Sequence, residues 1–244
     1  MRNLLKITIT SKSNLYGRLL IVFILMFATH ILSSESAYLL NDPTIGPKIG
    51  GVVVSALYFI MLVYFIRIMT ILNQPSVIIK YLWFYTFVAF FVIVYISNPF
   101  LDLWNEQTKS LIFTFCHINN LAVEAFFVYV ILKDIFLSKE TQPDHIWGAV
   151  DVYFLIILGF AEIYEIITLL RPGLLGEMYE MGWPNFTQCI IFSLSMITGN
   201  ELNYPDAASL LTKIGSLENL VGTLFLVAVL GRLLSHPLKK LANM

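Results

Sequence analysis

The sequence predicts an all-α integral membrane protein with six transmembrane helices and a short re-entrant helix between the fifth and the sixth. Three observations predict it. First, the 244 residues are 58% hydrophobic and only 13% charged, with a positive mean hydropathy. A soluble domain of this length needs far more charge to cover its surface. Second, six apolar segments, at 17–33, 49–72, 77–98, 110–137, 145–170 and 214–235, are each near or above the ~20 residues that a bilayer-spanning helix requires. Third, between the last two of these a shorter apolar run starts at a proline and stops after about 13 residues, too few to cross. The net charge of −1 implies no nucleic-acid partner.

The elements follow in chain order. The first span, "LLIVFILMFATHIL", has the look of a signal peptide because small residues in "SSESA" follow it. The long polar stretch before it makes a retained helix the better reading. Its lone His30 suits a packed or hydrogen-bonded position more than a pH switch. The third span carries the aromatic run "YLWFYTFVAFF" (Tyr81–Phe91), which suits lipid and interface contact. The fourth holds Asn119, Asn120 and Glu124, so its polar face must turn toward other helices or water. An interhelical polar contact is the expected use of these three. In the fifth, Glu162 and Glu165 stand three apart and share a face, whereas Asp151 is expected to reach water at the cytoplasmic end. The sixth carries Glu218 early and Gly222 four residues later, where a bend or close packing is served by a small residue. Cys116 and Cys189 both sit in apolar runs and read as small buried residues, not as a disulfide.

Orientation follows from lysine and arginine. With the N-terminus inside, Arg2, Lys6, Lys12, Arg18, Arg67, Lys80, Lys133, Lys139, Arg232, Lys239 and Lys240 fall on the cytoplasmic side. Only Lys48, Lys109, Arg171 and Lys213 fall outside, where Glu35, Asp42, Asp102, Glu106, Glu177, Glu180, Glu201 and Asp206 gather. Both termini are therefore expected in the cytoplasm, and the acidic outer face would concentrate cations.

The short run, Trp183-Pro184-Asn185 to Ile197, begins with a proline suited to the first turn of a helix. An apolar helix that enters a bilayer and stops partway must return through non-helical backbone. Such backbone survives at membrane depth only when it is buried in protein or lines a water-filled cavity. Thr198-Gly199-Asn200-Glu201 stands where that return loop begins. Carbonyl dipoles at the end of the short helix would favour a cation below it.

Three stretches resemble the potassium-channel-like family, and most closely its small prokaryotic two-helix-pore members with extra N-terminal spans. "IWGAVDVYFLIILGFAEIYEII" (Ile146–Ile167) is similar to the family's outer pore helix. "FSLSMIT" (Phe192–Thr198) is similar to the run that ends its pore helix, and "SLENLVGTLFLVAVLGRLL" (Ser216–Leu234) to its inner helix. The resemblance covers the last hundred residues or so. It implies an N-terminal four-helix region over 1–140 and a pore domain over 141–244, assembled as a homotetramer in a prokaryotic plasma membrane. By the same token it implies a multi-pass channel with no cofactor beyond permeant monovalent or divalent cations. The family's filter, Thr-Val-Gly-Tyr-Gly-Asp, is absent, and Gly199 is the single glycine in the corresponding stretch. The simplest pairing places Thr198, Gly199 and Asn200 in the filter and Glu201 at the acidic residue that follows it. Four copies of Glu201 around one axis would form a carboxylate ring, with Asp206 as a further outer ring. A cation pathway without strict K⁺ selectivity is the resulting expectation.

The intramembrane acids leave two uses open: a proton or ion relay, or hydrogen bonds that brace the pore helix. Bracing fits Glu218, which matches a family position; Glu162 and Glu165 suit either. No span carries basic residues at every third position, so no voltage sensor of that type is expected. No metalloprotease, Walker or nucleophile-elbow motif is present, which argues against an enzyme. A proton- or ion-coupled transporter and a non-conducting membrane scaffold or sensor remain as alternatives, although no internal repeat supports the first. A regulatory partner is not legible.

Overall fold

The computed structural model describes residues 15–39, 45–72, 74–95, 105–138, 143–175, 182–200 and 209–235. Among them are seven helices and no strand: α1 (Leu15–Leu39), α2 (Ile45–Ile71), α3 (Ser76–Tyr95), α4 (Glu106–Leu137), α5 (Pro143–Leu170), α6 (Trp183–Ile197) and α7 (Ser209–Ser235). Four are long and apolar enough to cross a membrane, over Leu15–Leu32, Ile49–Ile71, Asp144–Leu170 and Leu210–Ser235. The chain is in this sense a multi-pass membrane protein. The other two expected spans are helical but differ in kind. In α3 the apolar stretch is the shorter Ser76–Ala89. In α4, His117, Asn119, Asn120 and Glu124 interrupt the apolar run.

Local signals set several ends. Asn105 caps α4, its Oδ1 accepting from the Thr108 N–H at 2.8 Å, which satisfies one donor of the first turn. At the other end the Ser138 N–H returns to Asp134 O at 3.2 Å. Pro143 opens α5 and Pro184 lies in the first turn of α6, positions where a backbone N–H would have no intrahelical acceptor in any case.

At the centre is α5, packed against α1, α4, α6 and α7. Its apolar stretch is 61% buried, against 22% for that of α7. Phe23 of α1 stacks on Phe154 of α5 with ring centroids 5.8 Å apart, and Phe65 of α2 on Phe127 of α4 at 3.7 Å. Further out, α3 packs on α2. At 15 residues α6 is about 22 Å long, short of the ~30 Å hydrocarbon core. It is nonetheless buried, wedged between α5 and α7 with α1 and α2 at its N-terminal half. By contrast, α7 leaves Leu217, Leu220, Leu224, Val227 and Leu234 exposed at spacings of three, four and seven residues, an apolar seam along one face.

Candidate functional site

The short helix is fixed at both ends. Gly182 precedes it at φ 100°, a conformation that side-chain-bearing residues rarely adopt, and Pro184 presets the first turn. His30 of α1 stacks on Trp183 with centroids 4.2 Å apart, and its Nδ1 lies 3.0 Å from the Thr187 hydroxyl. Asn185 Nδ2 donates to the Thr168 hydroxyl of α5 at 2.9 Å. The first turns of α6 are thus held from two sides by polar contacts that a lipid environment cannot replace.

At the C-terminal end the chain closes in a Schellman turn. The Asn200 N–H donates to Ser195 O at 2.8 Å and the Gly199 N–H to Met196 O at 3.0 Å, with Gly199 left-handed at φ 74°. The Thr198 hydroxyl donates to Leu194 O at 2.7 Å and lies 3.1 Å from Ser195 O. The Ser195 hydroxyl donates to Asn200 O at 2.8 Å, and Asn219 Nδ2 of α7 reaches Met196 O at 3.1 Å. The carbonyls of Leu194, Ser195 and Met196 are therefore already engaged by protein donors, while Thr198, Gly199 and Asn200 are exposed. Glu201 and Asp206 lie outside the described residues.

Glu218 joins three helices. Its Oε2 accepts from the Tyr164 hydroxyl of α5 at 2.7 Å, and its Oε1 accepts from the Ser193 hydroxyl of α6. The Ser193 hydroxyl also lies 2.8 Å from Ile157 O. All three side chains are fully buried, so each hydrogen bond replaces solvation that burial removed. Small residues let α7 approach: a Cβ at Gly222 would meet Ile197 Cγ1 at 2.6 Å, and one at Gly215 would meet Met196 Cγ at 2.7 Å. Close packing against the last residue of α6 accounts for Gly222.

Glu162 and Glu165 face away from this tie, toward α4. His117 stands between them, with Nε2 3.1 Å from Glu165 Oε2 and Nδ1 3.7 Å from Glu162 Oε1. Asn120 adds a side-chain hydrogen bond to Glu162. Glu124 is buried one helical turn further along, beside Gly159, and its two oxygens have no hydrogen-bond partner among the described residues. Asn119 does not join the cluster; its amide returns to Phe115 O of its own helix at 2.8 Å. Asp151 departs from expectation: it is fully buried, because α5 is covered along its length, and its oxygens also have no partner among the described residues. Both cysteines are free. Four members of these sites have no role that the sequence assigns: His117, and Tyr164, Ser193 and Asn219, which lie inside the stretches that carry the resemblance. Only His117 leaves a trace, since it shares a helical face with Asn120 and Glu124 at spacings of three and seven.

No family model, curated protein or solved structure matches the chain.

Proposed function

We propose that the chain is the subunit of a homotetrameric cation channel with six spans, both termini cytoplasmic, and a non-standard, side-chain-lined filter. One observation carries this reading. A helix too short to cross a bilayer is buried between two long apolar helices, tied to both by Glu218, and opens at its C-terminal end onto Thr198-Gly199-Asn200. Returning backbone is tolerated at membrane depth where it lines a water-filled cavity, which is the role this reading gives to the exposed Thr198-Gly199-Asn200. The exposed apolar seam of α7 gives neighbouring subunits a surface to meet on. Conduction is passive, without strict K⁺ selectivity, and Glu201 supplies the charge that attracts the ion.

A second reading has its own observation. The Schellman turn uses Gly199 and the terminal carbonyls to close α6, as an ordinary helix end does. That favours a pore-like scaffold that does not conduct. Flux separates the two. Purified protein in liposomes is tested with K⁺, Na⁺, Ca²⁺ and an anion. The channel reading expects cation flux without anion flux, lowered about tenfold or more in Glu201→Ala. Absence of cation flux supports the scaffold; flux unchanged in Glu201→Ala refutes the filter assignment, and strict K⁺ selectivity refutes a filter lined by side chains.

A further inference from the structure

Helices α2 to α6 line a cavity of about 400 Å³ that is open on the α3 side, within the range of small-molecule sites. Glu162 and Glu165, each 1% exposed, form part of its buried wall, with His117 between them. Glu162 Oε2 and Glu165 Oε1 have no hydrogen-bond partner among the described residues. The remaining wall is mostly apolar and aromatic, with Tyr58, Tyr85, Trp183 and Phe186 around the buried part and Asn119 and Asn120 adding polar groups beside the acids. Tyr81 and Phe84 stand on the open side, 51% and 67% exposed.

We propose that this cavity binds an amphipathic organic ammonium ion, its cationic head at Glu162 and Glu165 and its apolar body among the aromatic side chains. The charge count favours a cation. With both carboxylates ionised, one protonated imidazole leaves one negative charge unmatched, and a buried unmatched charge is costly unless a cation joins it. The walls favour an organic cation over a metal ion. A hard cation needs six or more oxygens, whereas this wall offers mostly carbon. Aromatic faces attract an ammonium group, and more strongly away from water. Tyr81 and Phe84 both lie in the apolar stretch Ser76–Ala89 of α3, so the open side would face lipid and admit a molecule dissolved in the bilayer. Trp183 and Phe186 belong to the first turn of α6, so an occupant rests against the short helix.

Binding is read without ion flux, and the site therefore stands or falls apart from the channel reading. The full chain in lipid nanodiscs is titrated with radiolabelled hexyltrimethylammonium, with hexanol and hexyl sulfate as neutral and anionic comparators of the same tail. Saturable binding of the ammonium is expected, with both comparators weaker by at least about tenfold. Glu162→Gln and Glu165→Gln keep the side-chain shape and should each weaken it about tenfold or more. Tyr81→Leu, at an exposed position that tolerates change, should weaken it about threefold. Hexanol binding as tightly as the ammonium overturns the proposal, as does ammonium affinity unchanged in the three variants. Binding of Na⁺ or K⁺ with none of the ammonium also overturns it. If the glutamine variants fail to fold, Tyr81→Leu and the two comparators decide.

Discussion

Removing the Glu218 carboxylate leaves two fully buried hydroxyls, those of Tyr164 and Ser193, without the acceptor they share. The Ser193 hydroxyl keeps Ile157 O at 2.8 Å as an acceptor, so the orphaned group is the Tyr164 hydroxyl. An unsatisfied buried polar group costs about 1–3 kcal/mol, and Glu218→Ala should destabilise by about that much before any cavity contribution. Tyr164→Phe removes a donor and keeps the ring, which packs edge-on against Phe192 with centroids 4.8 Å apart. It should cost about 1–2 kcal/mol in the native background and almost nothing in Glu218→Ala, where the partner is already gone. The double-mutant cycle should therefore give a coupling of about 1–2 kcal/mol. Reversible unfolding of the purified protein in mixed micelles of increasing dodecyl sulfate content supplies the four stabilities. Costs that add within about 0.5 kcal/mol would show that Tyr164 and Glu218 act independently and that the bond between α5 and α7 contributes nothing.

Two further substitutions test α6 and its packing. Gly222→Ala gains about 1 kcal/mol of helix propensity but places a Cβ 2.6 Å from Ile197 Cγ1, and overpacking of that kind costs about 1–3 kcal/mol. Net destabilisation in the same unfolding titration is expected, whereas a stabilised variant would return Gly222 to the role of a bend. Gly199→Ala meets only ordinary contact, Asn219 Nδ2 at 3.4 Å, so its cost is the left-handed backbone at φ 74°, about 1–2 kcal/mol. Equal stability of wild type and Gly199→Ala would argue against the Schellman closure.

Four of the helices were legible in the sequence because each rests on a long apolar run, a local property. The short helix was legible to the residue, from Trp183 to Ile197, because Pro184 marks its start and the polar letters Thr-Gly-Asn mark its end. What those letters do was less so. Gly199 closes a helix through hydrogen bonds to Ser195 and its neighbours, and a glycine in a filter and a glycine at a helix end read alike in one dimension. Glu218 could be singled out by position, but its partners Tyr164 and Ser193 lie 54 and 25 residues away, and nothing local announces a pairing over that separation. Glu162 and Glu165 were visible as a shared face; that the face belongs to His117 required the register of α4 on α5. Asp151 was misplaced for a related reason. Position along a span says how near a residue is to an end, not which neighbours cover it.

The pairing of α4 with α5 also bears on how the chain enters a bilayer. They form the most extensive helix pair, with α4 ending at Leu137 and α5 beginning at Pro143. Taken singly, α4 is a poor candidate for insertion, since it carries His117, Asn120 and Glu124, while α5 is apolar enough to cross but brings Asp151, Glu162 and Glu165 with it. Joined as a hairpin, they turn His117, Asn120, Glu124, Glu162 and Glu165 inward together. Partitioning a hairpin spares the hydrocarbon most of these polar groups, whereas threading one helix at a time presents all of them in sequence.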